Sequence, residues 1–206
     1  MDKNMRKHDE VYDITASEKE KGVGLIIVIM LLAFMLGTGM VLMTVTSSGS
    51  KVAGNIRSHQ EAFNSAEAGF NAAWIALDDA LGTAQWTSFD GHYLTEPSGI
   101  DIPQDPNYFR KLSDEEILNY IDSDGDGSPE VSNVIFCRQP FVKNESGEYD
   151  LSYTYTAFLI DDEAVAGAPD AGDAILVCIG TAGTGSTMAT SRLEIELAVE
   201  VPGTGT

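Results

Sequence analysis

Val23 to Val45 reads VGLIIVIMLLAFMLGTGMVLMTV, 23 residues without one charged side chain. As a helix it would be roughly 35 Å long at about 1.5 Å per residue, enough to cross a bilayer core of about 30 Å. A soluble core helix of this length rarely stays apolar on every side. A cleaved signal peptide is also a poor match, because the run exceeds an ordinary h-region and no small-x-small site closes it. The stretch therefore predicts one membrane-spanning helix.

The segment before it, residues 1–22, is polar, with five basic and six acidic residues. Lys19 and Lys21 directly precede the span, whereas Lys51 and Arg57 follow at a distance. Orientation follows Lys and Arg close to the span, which favours the N-terminus in the cytoplasm and the bulk of the chain outside.

Beyond the span the helical pattern continues on one face. Val52, Ile56, His59, Phe63, Ala66, Phe70, Ala73, Leu77 and Leu81 recur at steps of three and four, between polar residues such as Arg57, Glu61, Glu67 and Asp78. This predicts an amphipathic helix over 46–82 with a core-facing stripe and a stop at Gly82-Thr83. With the span, the helix would measure roughly 90 Å at about 1.5 Å per residue. Ser47 to Ser50 and Gly37/Gly39 are its weak points.

Residues 83–206 read as a globular head. Trp86 to Arg110 is aperiodic and reads as loop with short extended pieces. Ser113 with Glu116 three residues on reads as a capping box opening a short helix to Tyr120. Strands are expected at Val134–Phe136, Tyr149–Ile160, Ala174–Gly180 and Arg192–Val201. In the last, Leu193, Ile195, Leu197, Val199 and Val201 share a face. Glycine-rich turns between them imply an antiparallel sheet, with the amphipathic helix as its cover. The fold class is α+β.

The whole chain has 206 residues and a formal net charge of −20, from 12 Lys+Arg and 32 Asp+Glu. Such an acidic chain lacks the basic surface that nucleic-acid binding needs. With 43% hydrophobic residues it can build a core, and two cysteines are too few for a disulfide-dense scaffold.

Two features together carry a family resemblance. One is a short leader ending in Lys21-Gly22 before VGLIIVIMLLAFMLG. The other is VAGNIRSHQEAFNSAEAGFNAA, Val52 to Ala73, with its AEAG element at Ala66–Gly69. They resemble type IV pilin-like proteins with a type III signal, and specifically PilX-type minor pilins. ILVCIGTAGTGSTMATSRLEIELAVEV near the C-terminus loosely resembles the last hairpin of such proteins.

The resemblance implies a prepilin leader over 1–22, cleavage after Gly22 by a prepilin peptidase and N-methylation of Val23. It implies a single-pass inner-membrane subunit with a periplasmic head that moves into an extracellular pilus after assembly. Its partners would be membrane lipid before assembly, an inner-membrane assembly platform, and other pilins or pseudopilins. The span would then pack against neighbouring spans, which its all-round apolar surface suits. Major pilins carry Glu at the fifth residue after cleavage, thought to pair with the terminal amine of an adjacent subunit. Here that position is Ile27. A subunit with nothing above it gains by losing a carboxylate that would stay buried and unpaired. The departure points to initiation, tip capping or low abundance, as in the tip pseudopilin of type II secretion.

Asp122-Ser-Asp124-Gly-Asp126-Gly127 matches the D-x-D-x-D-G opening of a calcium loop. Alternate carboxylates can converge on one ion, Ser128 would offer its carbonyl and Glu130 lies at the ninth position. The twelfth position is Asn133 rather than Glu, so the site would be weak or completed by Asp161 or Asp162. The competing reading is a solvated acidic turn.

Cys137 and Cys178 fall in or near predicted strands. In an oxidising compartment they are candidates for a disulfide closing about 40 residues and contributing roughly 3–4 kcal/mol; two free thiols are the alternative.

No enzyme signature stands out. Gly180 to Thr187 lacks the Lys of a phosphate loop and reads as a hairpin turn. His8, His59 and His92 share no metal-ligand spacing. The pairs Asp78-Asp79 and Asp161-Asp162 read as solvated faces, and Tyr153, Tyr155 and Trp74 as packing. The functional expectation is a minor pilin-like subunit acting through packing, with an adhesive head stabilised by calcium. The rivals are a type II secretion pseudopilin and a single-span anchored calcium- or ligand-binding protein.

Overall fold

The structure, a computed structural model, describes residues 9–161 and 172–198, with side chains from Gly22 onward and that of Ser186 excepted. His8, Asp162, Val199 and Val201 lie outside the described residues. Helix α1 runs Asp9–Gly82. The chain divides into two compact units, Met1–Ala53 and Gly54–Thr206. The division falls inside the stretch 46–82 read as the amphipathic half.

In the first unit none of the apolar window is buried, and its large side chains from Val23 to Val45 are all exposed. This helix is long and apolar enough to cross a membrane. Several hydroxyls in and just after the apolar run bond back to the helix. Thr44 donates to the Met40 carbonyl at 2.9 Å, Thr46 to Leu42 at 2.9 Å and Ser48 to Thr44 at 3.0 Å. Such back-bonding lets polar side chains sit in hydrocarbon without an unpaired donor.

The second unit is built on a four-stranded antiparallel meander in the order β1-β2-β3-β4. The strands are β1 (Val134–Pro140), β2 (Tyr153–Ile160), β3 (Asp173–Ala182) and β4 (Ala189–Ala198). The short helix α2 spans Asp114–Ile121, and its capping box between Ser113 and Glu116 forms as the sequence predicts. The β-rich run begins at Tyr153 rather than Tyr149, which bridges to Lys143 instead.

The middle strands are apolar on both sides because both sheet faces are covered. Ala157, Leu159, Leu176 and Cys178 face Ala73 and Leu77 of α1. Phe158, Ile160, Val177 and Ile179 face Ile117, Leu118 and Ile121 of α2, together with Leu94, Ile100 and Phe109. The aperiodic 86–110 stretch thus forms a second layer, which sequence reasoning did not foresee. Its burial at Phe89, Leu94, Ile100 and Phe109 follows no helical or strand period. Arg192 of β4 fastens this layer, donating to Asp114 at 2.7 Å, the Phe109 carbonyl at 2.8 Å and the Leu112 carbonyl at 3.0 Å.

The helix stripe needs correction. Ala62, Ser65, Ala66, Gly69, Ala73 and Leu77 are buried, whereas Val52, Ile56, His59 and Phe63 are exposed. Small residues win because the helix lies almost on the sheet. A methyl group on Gly69 would lie 2.9 Å from Tyr155 Cβ, and one on Gly180 would strike the Ala66 amide nitrogen and Ala62 carbonyl oxygen. Ser65 Oγ donates to the Thr181 carbonyl at 3.0 Å across the same contact.

Gly180→Ala is therefore expected to cost about 1–3 kcal/mol through overpacking against helix backbone. Gly54→Ala, with no atom within 4 Å of the added methyl, should gain roughly 0.5–1 kcal/mol of helix stability. Denaturant unfolding of both variants in detergent checks the contrast, and equal behaviour would contradict the close approach.

Candidate functional site

Two places carry sequence-predicted function: the Gly22–Val23 junction and the acidic loop after α2. At the junction both residues are helical and exposed, and no neighbour lies within 4 Å of a methyl placed on Gly22 or Gly24. Two glycines around Val23 lower the local helix propensity by roughly 1 kcal/mol each relative to Ala, so unwinding here costs little. Ile27 is exposed on the helix surface.

The acidic loop starts where α2 ends. Asp122 accepts from the Gly125 amide at 2.9 Å and the Gly127 amide at 3.1 Å. Both glycines have positive φ, +74° and +86°, which a residue with a Cβ adopts at a cost. Asp124 accepts from the Asp126 amide at 3.1 Å and Asp126 from the Ser128 amide at 2.7 Å. The loop thereby brings one oxygen from each of Asp122, Asp124 and Asp126 within 4.8 Å of one another. Asp122 is 1% exposed, while Asp124 and Asp126 are open to solvent.

The other predicted ligands do not join this set. Glu130 accepts from the Ser123 hydroxyl at 2.7 Å, Ser128 contributes an amide to Asp126, and Asp161 is not among the gathered acids. Sequence reasoning also missed Arg138. Its Nε lies 2.8 Å from Asp122 Oδ2, with the Arg138 side chain 19% exposed. It reaches the loop from a β1 position with φ +38°, between irregular registers, and no local motif signals that geometry.

Burial pushes the Asp122 carboxyl up, but the Gly127 amide, Arg138 and the Gly125 amide outweigh it and hold it below the usual range. The donor set suits a hard cation. Three carboxylates supply fewer than the roughly six to eight oxygens calcium takes, and Arg138 already neutralises one of them.

The cysteines do not pair. Cys137 lies on β1 and Cys178 on β3, with β2 between them, and both are free thiols. Two strand spacings are about 9.6 Å, beyond the roughly 7 Å that a disulfide spans between Cα atoms. They also belong to the clusters on opposite sheet faces. Burial pushes Cys178 up to about 12; burial and the charge of Asp122 push Cys137 up to about 11. Neither is a reactive thiolate at neutral pH.

The remaining candidates take structural places. His92 stacks on Trp86 with centroids 3.7 Å apart, His59 is exposed on α1, and Gly183 to Thr187 forms the β3–β4 turn. Tyr155 packs beneath Gly69 as expected, but Trp74 is 52% exposed.

Residues 21–71 match the family model described as PilX N-terminal. The match begins at Lys21, covers the junction and the apolar run, includes AEAG at Ala66–Gly69 and ends inside α1. It does not reach the sheet or the acidic loop. No curated protein and no solved structure matches the chain.

The depressed Asp122 carboxyl makes stability acid-sensitive. Its contribution is complete above its unfolded value near pH 4 and is lost as pH falls through the lower folded value. Asp122→Asn should cost about 1–3 kcal/mol at neutral pH and leave a shallower loss of stability on acidification. Thermal melts between pH 7 and 2.5 check this, and parallel curves for both proteins would contradict it.

Proposed function

We propose that this chain, whose residues 21–71 match the PilX N-terminal family model, is a type IV pilin-like protein that serves as a minor subunit in initiating or capping a type IV pilus. The single observation carrying this is the 21–71 match, which joins the leader junction, the apolar run and the start of the helix–sheet contact. Prepilin peptidase would cut after Gly22, leaving Val23 as the methylated N-terminus. The exposed apolar helix from Val23 to Val45 would sit in inner-membrane lipid, its head in the periplasm, until the assembly platform transfers it to a bundle of similar helices in the extracellular pilus.

The chain would act by packing rather than catalysis. Ile27 supports a position where no amine needs a carboxylate partner, as at a tip. Ile56 and Phe63, exposed on the second unit, offer apolar side chains to neighbouring subunits. An exposed acidic head suits adhesion. Calcium would bind Asp122, Asp124 and Asp126, aided by the Ser128 carbonyl and Glu130 after rearrangement, and would compete with Arg138. A pseudopilin of type II secretion would use the same physics.

Mass determination of the mature chain from its native membrane tests the reading. A polypeptide beginning at methylated Val23 is expected; an intact Met1 would contradict it and favour a permanent single-span anchor. For the loop, millimolar calcium is expected to raise the melting temperature, and Asp124→Ala to abolish the shift. An unchanged melting temperature would remove calcium from the proposal.

A further inference from the structure

The pairing of β1 with β2 ends at Pro140↔Thr154, and between those residues the chain makes a narrow hairpin. Its neck is held by the Asp150 amide, which donates to the Val142 carbonyl at 2.8 Å, and by the bridge Lys143↔Tyr149. The Lys143 ammonium lies 4.9 Å from the centroid of the Tyr149 ring across that bridge. The tip is a β-turn over 144–147. The Gly147 amide donates to the Asn144 carbonyl at 3.0 Å, and the Asn144 amide donates to the Glu148 carbonyl at 2.8 Å. Every residue from Lys143 to Tyr149 is exposed.

Asn144-Glu145-Ser146 in this tip is an N-x-S sequon without proline at its middle position. No other asparagine of the chain has Ser or Thr two residues on. The Asn144 carboxamide is held with its nitrogen outward. Its Oδ1 accepts from the Ser146 amide at 3.0 Å and from the Glu148 amide at 2.9 Å. Two backbone donors on one side fix that atom as oxygen, because an amide nitrogen only donates. Nδ2 then has no acceptor among the described residues, and the Ser146 hydroxyl has no partner there either. Asn71, Asn107 and Asn133 differ: their Nδ2 atoms donate to the carbonyls of Glu67, Ser98 and Tyr93.

We infer that Asn144 is an acceptor for N-linked glycosylation, taking an oligosaccharide from a polyprenyl-diphosphate donor through a transferase that reads the Ser146 hydroxyl. The inference rests on the head lying outside the cytoplasm, as proposed above, and goes beyond the assembly role. In the transfer, Nδ2 forms a bond to the anomeric carbon of the sugar, and the bond from that carbon to the diphosphate oxygen breaks. The lipid diphosphate leaves with the bonding electrons, and Nδ2 gives one of its two protons to solvent. Nothing is oxidised or reduced. Oδ1 keeps both of its backbone donors in the product, so the turn survives the modification, and the glycan projects from an exposed tip rather than into the core.

The test takes the chain from its native membrane and places any carbohydrate by fragment-ion mass spectrometry. Carbohydrate is expected on Asn144 and on no other asparagine. Two variants separate the motif from the turn. Ser146→Ala keeps the backbone amide that Asn144 accepts, and is expected to lose the carbohydrate without changing the melting temperature. Ser146→Thr is expected to retain it. A bare Asn144 would overturn the inference, as would carbohydrate carried by the Ser146 hydroxyl instead, or modification that persists in Ser146→Ala. The N-terminus is read from the same sample. A glycosylated chain with Met1 intact would contradict the pilin reading and keep this inference, whereas a chain beginning at Val23 with a bare Asn144 would do the reverse.

Discussion

The backbone of α1 at Ala62 and Ala66 rests on the backbone of β3 at Gly180, and the second unit is arranged around that contact. No side chain larger than hydrogen fits at Gly180, and only small residues fit opposite it. Ser65 turns its hydroxyl to the Thr181 carbonyl there, and Thr154 and Thr181 share a hydroxyl pair at 2.8 Å below it. With the interface made of small residues, the larger apolar groups at Ile56 and Phe63 are left outside. The contact therefore sets both the core of the head and the surface that remains for neighbouring chains.

Several elements were legible because their physics is local. An uncharged run of 23 residues has few alternatives to a membrane span. The capping box at Ser113 and Glu116 needs only four consecutive residues, and it formed. The alternation Leu193, Ile195, Leu197 placed those residues under α1, as read. The AEAG element was recognised as a family mark, and its meaning became mechanical only in three dimensions: Ala66 and Gly69 permit close approach to Gly180 and Tyr155.

What was missed is non-local. Helical periodicity ranked Ile56 and Phe63 as core because they are apolar and in step, but close helix–sheet packing selects size before hydrophobicity. The second layer under β2 and β3 comes from an aperiodic stretch, whose burial carries no repeat to detect. Strand order decided the cysteines: a meander puts β2 between Cys137 and Cys178. At the acidic loop the three aspartates converge as their spacing suggests, yet their first counter-ion is Arg138, brought in by an irregular stretch of β1. Gly127 was readable as the glycine of the D-x-D-x-D-G opening; the guanidinium was not.

Native-state hydrogen exchange of the full-length chain in detergent tests most directly whether the helix and sheet of the second unit stand as one body. Amides from Ala66 to Leu77 should exchange only with those of β3, in a single slow class set by global opening. If that part of α1 exchanges orders of magnitude faster while β3 stays protected, the close contact at Gly180 does not hold the unit together, and the account built on it fails.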